Sequence, residues 1–295
     1  MRQATHPVHV AEIDAHEGPV YVPDEDALYF TTLPQRDARG VPRVRIKRLT
    51  LDGESTVVRA DANAANGMTL ARDGRLLVCE QGTPSTPARL TAFDPASGEV
   101  EVLVAGWRGL PLNSPNDVVQ ASDGGIWFTD PTYGFLQGFR PRPAVGDRVY
   151  RLDPGLRGLE VVADGLDKPN GLALSPDERT LYVTDSGANQ EPGSFYPERP
   201  HHVVAFDVAA SALTGARVLA DISPGFPDGI KCDADGRVYV SSSSGVQIYS
   251  PDGRRLDEIE LPGAVNFCFG GPDHNVLFIT TDTAVHAAEL ETKGA

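Results

Sequence analysis

The chain has 295 residues, 40% of them apolar and 23% charged, with 30 Gly and 24 Pro. Its formal net charge of −15 argues against a nucleic-acid backbone or an anionic membrane surface as partner, since both are polyanions. No run of 18 apolar residues exists to span a bilayer, and the N-terminal stretch MRQATHPVHVAEID lacks the apolar core of a secretory leader, so a cytoplasmic protein is expected. Cys79, Cys232 and Cys268 are odd in number, unpatterned and set within apolar runs; they read as small buried side chains in a reducing compartment.

Six copies of one cassette run the length of the chain. Each begins on a side-chain oxygen, passes through a short apolar strand, turns at an aspartate and returns along a second apolar strand. The copies start at Glu17 (EGPVYVPDEDALYF), Asn66 (NGMTLARDGRLLVCE), Asn116 (NDVVQASDGGIWFTD), Asn170 (NGLALSPDERTLYVTD), Asp228 (DGIKCDADGRVYVSS) and Asn266 (NFCFGGPDHNVLFIT). The seventh residue after each anchor is an aspartate: Asp24, Asp73, Asp123, Asp177, Asp235 and Asp273. Anchors lie 49, 50, 54, 58 and 38 residues apart, the period of a propeller with four strands to a blade. The expected fold is all-β, a six-bladed β-propeller forming a single domain over residues 1–295.

Blade one takes GPVYV, ALYFTT, RVRIKRLTL and STVVRA, with the alternation of RVRIKRLTL marking an exposed outer strand. Blade two takes MTLA, RLLVCE, ARLTAFD and VEVLV, with a hairpin turn at Pro95–Gly98. Blade three has DVVQA, GIWFT, RVYRLD and LEVVA around an insertion over 130–147. Blade four has GLALS, TLYVT, HHVVAFDV and ARVLA around a second insertion over 185–199. Blade five is compact, with a tight turn at Ser250–Gly253. Blade six has FCFG, VLFIT and AVHAAEL but only 30 residues from its anchor onward, enough for three strands; the N-terminal His9–Ile13 is expected to supply the fourth and close the ring.

Each anchor opens an inner strand, the aspartate turn reverses the chain at the far face, and the second strand returns. Whatever follows the second strand therefore lies on the anchor side. Both insertions, and the connections AGWRGLPLNSP and DISPGFP, open on that face, which is expected to carry function. Tyr133, Phe135, Phe139, Phe195 and Tyr196 give the insertions an aromatic content suited to an apolar pocket wall. Asp130 and Asp185 end second strands and either line that pocket or cap the insertions.

Equivalent anchors in a propeller surround the central channel at one level. All six carry a hard side-chain oxygen, two carboxylates and four amides, and none is Lys, Arg, His or Cys. Converging hard oxygens suit Ca²⁺, which takes about six to eight of them, and two carboxylates balance a divalent charge. The lack of thiolate and imidazole disfavours a structural zinc site. Against this, Asn and Asp before Gly are common turn formers, the reading preferred for Asn66 and Asn266, and the seventh-position aspartates read as turn residues facing away. Glu17 has little turn propensity and fits that bland reading least.

EGPVY, LNSPNDVV with IWFTDPTYG, KPNGLALSPD with LYVTDS, and PDGI, in that order and at blade spacing, resemble the senescence-marker-protein/gluconolactonase/luciferin-regenerating-enzyme family. Leu112–Gly134 is especially similar to its bacterial gluconolactonase branch. The resemblance implies a six-bladed propeller with one divalent metal in the channel, Ca²⁺ first, with Mg²⁺, Mn²⁺ and Zn²⁺ as alternatives. It places metal ligands at Glu17, Asn170 and Asp228, with Asn116 as a further ligand or a substrate contact. Ser114 stands where some sugar-lactonase members carry a substrate-holding Arg, and Gln81 where many bacterial relatives carry His. Both positions are expected to touch the substrate and to point away from an aldonolactone.

The implied function is gluconolactonase-like, metal-dependent hydrolysis of a lactone, and the aromatic insertions would suit one larger or more hydrophobic than a free sugar lactone. A metal-activated water would attack, with Asp228 as base, Glu17 and Asn170 as ligands and Asn116 at the developing oxyanion. Asp130, Tyr133 and Asp185 complete the expected substrate contacts. The expected partner is a small-molecule lactone, with neither nucleic acid nor membrane, and the chain is expected to be a monomer or small homo-oligomer. His16 borders Glu17 and is the histidine of interest, while His201 and His202 alternate faces of one strand. No Gly-x-Ser-x-Gly elbow and no dinucleotide fingerprint is present. Alternatives on the same scaffold are an organophosphate hydrolase, since diisopropyl-fluorophosphatase-type enzymes use a similar Glu/Asn/Asn/Asp set, a biosynthetic enzyme with a non-hydrolytic step, and a non-catalytic binding propeller.

Overall fold

Short apolar runs cut by Asp-Gly and Pro-rich turns leave the chain little to build except short antiparallel strands. The computed structural model has six four-stranded antiparallel sheets around one channel, a six-bladed β-propeller. It describes residues 6–210 and 212–295; the N-terminal stretch read above for a leader lies outside the described residues at 1–5. Among the described residues no helix is long and apolar enough to cross a membrane.

Listed from the channel outward, blade one is Glu17–Val22, Ala27–Thr31, Ile46–Thr50 and Ser55–Arg59, and blade two is Ala65–Leu70, Leu76–Glu80, Arg89–Phe93 and Val100–Val104. Blade three is Val118–Gln120, Ile126–Asp130, Arg148–Leu152 and Leu159–Ala163, and blade four is Pro169–Leu174, Thr180–Asp185, His202–Ala209 and Ala212–Asp221. Blade five is Ile230–Cys232, Val238–Ser242, Gly245–Tyr249 and Arg255–Glu260. Blade six is Asn266–Gly270, Val276–Thr280, Ala284–Glu289 and, from the other end of the chain, Val8–Glu12, paired as Val8↔Ala287 and Glu12↔Ala284.

The apolar core is divided among the six joints between blades. Val78 and Phe93 meet Tyr29 and Ile46 between blades one and two, for example, and Tyr21, Leu28 and Phe30 meet Cys268, Phe278 and Val285 where the ring closes. The three cysteines are free and buried within these packings, and burial pushes Cys232 and Cys268 up to about 12.

At the far face, Asp73, Asp123 and Asp177 accept the N–H of the residue two ahead, so these seventh-position aspartates are turn formers. In blade five Asp233 takes that role in place of Asp235. The lower half of the channel opens on this face as a cavity of about 380 Å³, walled by Met68, Val118, Leu172 and Cys268, with Lys231 among them.

The expected strand RVRIKRLTL differs in detail. It begins at Ile46 and is the third strand of its blade; Val44, Ile46 and Leu49 are buried, and the outermost strand is Ser55–Arg59. The alternation recorded one covered face, which a third strand has as much as an edge strand does. A small hairpin, Gln35–Arg36 with Pro42–Arg43, precedes it and has no apolar pattern to announce it.

Candidate active site

The six anchors meet at one level because neighbouring inner strands touch there. Gly18, Gly67, Gly171 and Gly229 each follow an anchor, and each packs against the anchor region of the next blade. A Cβ on Gly67 would lie 2.5 Å from the Asn116 carbonyl oxygen, and one on Gly18 2.7 Å from that of Asn66. The Asn-Gly and Asp-Gly pairs are therefore sites of close backbone approach and not turns, which corrects the bland reading of Asn66. Asn266, given the same turn reading, instead opens the inner strand of blade six.

Second strands supply the fastening. Thr31 Oγ1 donates to Asn66 O (3.0 Å), Thr129 Oγ1 to Asn170 O (2.6 Å), Thr184 Oγ1 to Asp228 O (2.9 Å), Ser241 Oγ to Val265 O (2.7 Å) and Thr280 Oγ1 to His16 O (2.6 Å). Between blades two and three the bond is from the Gly67 N–H to Asn116 O, at 2.7 Å. All six joints are thus tied at or beside an anchor.

Within this ring Glu17 is 4% exposed, Asn116 5% and Asn170 7%, while Asp228 is half-buried. Asn266 Nδ2 donates to Glu17 Oε2 at 2.7 Å. The Asn116 carboxamide has no hydrogen-bond partner among the described residues. Burial raises the Glu17 carboxyl above its ordinary range, opposed by His16 and by the Asn266 bond. Burial raises Asp228 well above that range too, and the Glu17 charge adds to the effect while the Asn170 amide opposes it. No Lys or Arg pairs with either carboxylate among the described residues; Lys231 Nζ lies 3.8 Å from Asp117 Oδ2.

Asp117 is the functional-looking residue that sequence reasoning passed over. It occupies in blade three the position that four other blades give to Gly, and it is 2% exposed. Its oxygens accept the N–H groups of Val118 (2.9 Å) and Leu172 (3.4 Å), and burial raises its carboxyl despite Lys231. The signal was present as Asn-Asp among Asn-Gly and Asp-Gly copies.

Three of the expected substrate contacts are otherwise engaged. Asp130 is fully buried and its two oxygens accept the N–H groups of Asn113 (2.9 Å) and Ser114 (2.8 Å). Asp185 accepts those of Asp167 (2.9 Å) and Lys168 (2.8 Å). Each carboxylate thus grips the residues three and two before the anchor of its own blade, and Asp185 also borders a cavity of about 540 Å³ with Asp167 and His202. In blade two the corresponding Glu80 bonds side chains instead, accepting from Asn63 Nδ2 at 2.9 Å and from Arg59 and Arg89. Ser114 is fully buried, and its Oγ donates to Pro131 O (2.6 Å) and accepts from the Gly134 N–H (3.0 Å), so it fastens the first insertion and does not face a ligand. Gln81 is buried on the anchor face, with a carboxamide that has no partner among the described residues.

The rim around the anchors is uneven. Blades one to four carry the hairpin after Thr31, the segment after Glu80 and the two insertions, whereas blades five and six carry only tight turns, after Ser242 and after Thr280. The hairpin reaches the first insertion, where Arg36 Nη2 donates to Gln137 O at 2.9 Å and the guanidinium sits 5.9 Å from the Phe139 ring centre. The expected aromatic wall is divided: Tyr133 and Phe139 are buried, but Phe135 and Phe195 are 45% and 48% exposed, and Tyr196 turns its hydroxyl to Glu191. His16 bonds Asp282 through Nδ1 at 2.6 Å, His201 Nδ1 lies 2.9 Å from Arg199 O, and His202 lies 3.7 Å from Asp221.

The donor set fits a hard divalent cation. Two buried carboxylates, Asp228 raised further by the Glu17 charge and neither paired with Lys or Arg among the described residues, are what a divalent ion would neutralise, and the unpartnered Asn116 amide supplies a neutral oxygen. Among the described residues no three His, Cys, Asp or Glu side chains converge as a metal-binding group, so an ion here depends on the amides.

Comparison with known proteins gives one consistent result. The SMP-30/gluconolactonase/LRE-like region matches residues 15–283. A gluconolactonase of Zymomonas mobilis is 30% identical, over 94% of this chain and 81% of its own. A lactonohydrolase of Aspergillus oryzae is 31% identical, over 95% of this chain and 69% of its own. A solved gluconolactonase of Xanthomonas campestris has a TM-score of 0.80 at 34% identity, covering 96% of this chain and 88% of that one.

Proposed function

The chain belongs to the SMP-30/gluconolactonase/LRE-like family, and from that membership and the channel geometry we propose that it is a metal-dependent lactonase acting on a small-molecule lactone. Relatives named gluconolactonase and lactonohydrolase support the reaction class. The single observation that carries the site is the pair Glu17 and Asp228, two carboxylates at one level of the channel, neither paired with Lys or Arg among the described residues, with the unpartnered Asn116 amide in the same ring.

Glu17, Asn170, Asp228 and Asn116 would hold the ion, Ca²⁺ first. A bound divalent ion supplies a Lewis acid for the carbonyl oxygen and a more acidic water. Asp228 takes a proton from the attacking water as the new C–O bond forms. It returns that proton to the ring oxygen as the ring C–O bond breaks, leaving a hydroxy acid and an unchanged carboxylate. Asn116 directs its amide at the oxygen on which negative charge develops. Gln81, with its carboxamide unspent, contacts a polar group of the substrate. The low rim over blades five and six leaves room for a ring substituent, in keeping with a lactone bulkier than a sugar lactone.

The test uses protein stripped with chelator and re-supplied with Ca²⁺, Mg²⁺, Mn²⁺ or Zn²⁺, with ring opening followed by pH-stat over aldonolactones and alkyl and aryl lactones. Activity is expected to vanish on stripping and return with one ion. Asp228→Asn is expected to lower kcat by about 10²–10⁴-fold. An Asp228→Asn protein that keeps its ion and full activity would sink the assignment of the base.

A further inference from the structure

We propose that the Asn66 carboxamide is a second hydrogen-bond donor to the lactone carbonyl oxygen, beside Asn116, where negative charge gathers as water attacks. This rests on the lactonase reading above. Of the six anchors, Asn66 alone serves neither the ion nor a neighbour. Glu17, Asn116, Asn170 and Asp228 surround the ion's place, and Asn266 spends its Nδ2 on Glu17 at 2.7 Å.

The backbone fixes Asn66 between two of those residues. Thr31 Oγ1 donates to Glu17 O (2.9 Å) and Asn66 O (3.0 Å), a shared bond that clamps the two anchors together. On the other side the Gly67 N–H donates to Asn116 O at 2.7 Å. Packing is as tight as the bonding: a Cβ on Gly18 would lie 2.6 Å from the Met68 nitrogen, and one on Gly67 2.5 Å from Asp117 Oδ1. Both flanks of Asn66 are therefore closed by neighbouring blades. The surface its side chain keeps faces the channel, into which the strand Ala65–Leu70 carries it.

Asn66 is half-buried, and its side chain makes no hydrogen bond among the described residues. Its two amide atoms differ. Oδ1 is enclosed and unpaired, whereas Nδ2 is not enclosed and can be reached from the channel. A buried acceptor without a partner destabilises a fold, and an alanine here would remove it without breaking a bond. What the amide offers in return is its open end, a pair of N–H donors on a rigid mount. Their place suits the reaction. In a ring of six, blade two stands across the channel from blade five, which carries Asp228. Water held at Asp228 reaches the carbonyl carbon from that side, and the oxygen that gains charge points away from it, toward the adjacent Asn66 and Asn116. Asn66 gives a hydrogen bond and keeps both its protons; the proton that ends on the new hydroxyl is the one Asp228 took from water. The bond is weak to a neutral carbonyl oxygen and strengthens as charge arrives, so it lowers the barrier more than it tightens binding.

Asn66→Ala removes the donor, and Asn66→Asp replaces it with an acceptor of the same shape. Wild type and both variants are compared by Tm, by Ca²⁺ titration calorimetry, and by kcat and KM on whichever lactone wild type opens fastest in the panel above. The expected result is a loss of about 10²–10³-fold in kcat in both variants, with KM and the Ca²⁺ affinity of Asn66→Ala each within about 3-fold of wild type. The Tm of Asn66→Ala is expected to be unchanged or raised, since an unpaired acceptor is gone. Asn66→Asp separates a donor from an ion ligand, because a carboxylate holds a cation at least as well as an amide oxygen and cannot donate. Activity kept in Asn66→Asp overturns the proposal, as does Ca²⁺ affinity that falls with kcat in Asn66→Ala and returns in Asn66→Asp. A loss carried by KM instead of kcat overturns it too. Should Asn66→Ala lose its fold, Asn66→Asp decides alone: lost kcat with Ca²⁺ still bound supports the donor, and kept kcat overturns it. Wild-type protein that opens no lactone overturns the lactonase reading and this inference together; wild-type turnover with unaffected variants overturns this inference alone.

Discussion

Asp130 and Ser114 show how one residue type can mean two things. Both looked like ligand contacts because they stand beside an anchor on the anchor face, and both are spent on the backbone that positions it. Asp130 has a measurable consequence. Burial raises its carboxyl to about 7, although two N–H bonds favour the ionised form, and the Asp147 charge pushes the same way as burial. A carboxyl raised in the folded protein binds a proton on folding, so its stabilising contribution is full below about pH 4 and is lost as pH rises toward 7. The unfolding free energy is therefore expected to carry a negative slope from this group across that window. In Asp130→Asn that part of the slope should be absent, as urea titrations of both proteins from pH 4 to 8 would reveal. The anchors themselves were legible, because six oxygens at a fixed offset from six aspartates stand out in the sequence. The glycines after them were misread, since turn formation and close approach favour the same residue.

Among elements, the second strands do more than pair. Their ends carry the hydroxyls that tie one blade to the next and, in blades two to four, the acids Glu80, Asp130 and Asp185 that hold the approach to the anchor. Removing the Asp185 carboxylate leaves the N–H groups of Asp167 and Lys168 without acceptors just ahead of Asn170. Asp185→Ala is expected to cost about 1–3 kcal/mol of stability and to weaken cation binding by about 10–100-fold, read by thermal melts with and without Ca²⁺ and by Ca²⁺ titration calorimetry. Strands and turns could be read from periodicity, and the side on which the insertions fall followed from counting reversals. The inward or outward direction of each insertion aromatic did not, because irregular backbone has no period to project. Phe135 and Phe195 face water, while Tyr133 and Phe139 are buried by contacts distant in sequence, such as Arg36 from blade one.

The whole molecule is a ring whose core is cut into six, so each blade depends on two neighbours and the ring on its closure. That closure is the pairing of Val8–Glu12 with Ala284–Glu289, over the packing of Tyr21 and Phe30 on Phe278 and Val285. Deleting residues 1–13 would leave Ala284–Glu289 as a bare edge. The shortened chain is expected to lose its single cooperative melt and to associate, which calorimetry and size-exclusion chromatography would detect. The sequence made this closure legible by arithmetic alone: three strands remained where four were needed.

The propeller repeats one unit six times, yet its rim does not. High ground over blades one to four and low ground over blades five and six leave the opening without mirror symmetry. A lactone with a substituted carbon next to its ring oxygen can point that substituent over the low side in one hand only. Its mirror image, with the carbonyl and ring oxygens held in the same places, drives the substituent into the side where Tyr133 and Phe139 stand. The two enantiomers of a racemate thus meet different walls, and on the lactonase reading one is expected to be consumed ahead of the other, which chiral chromatography of the remaining lactone would show.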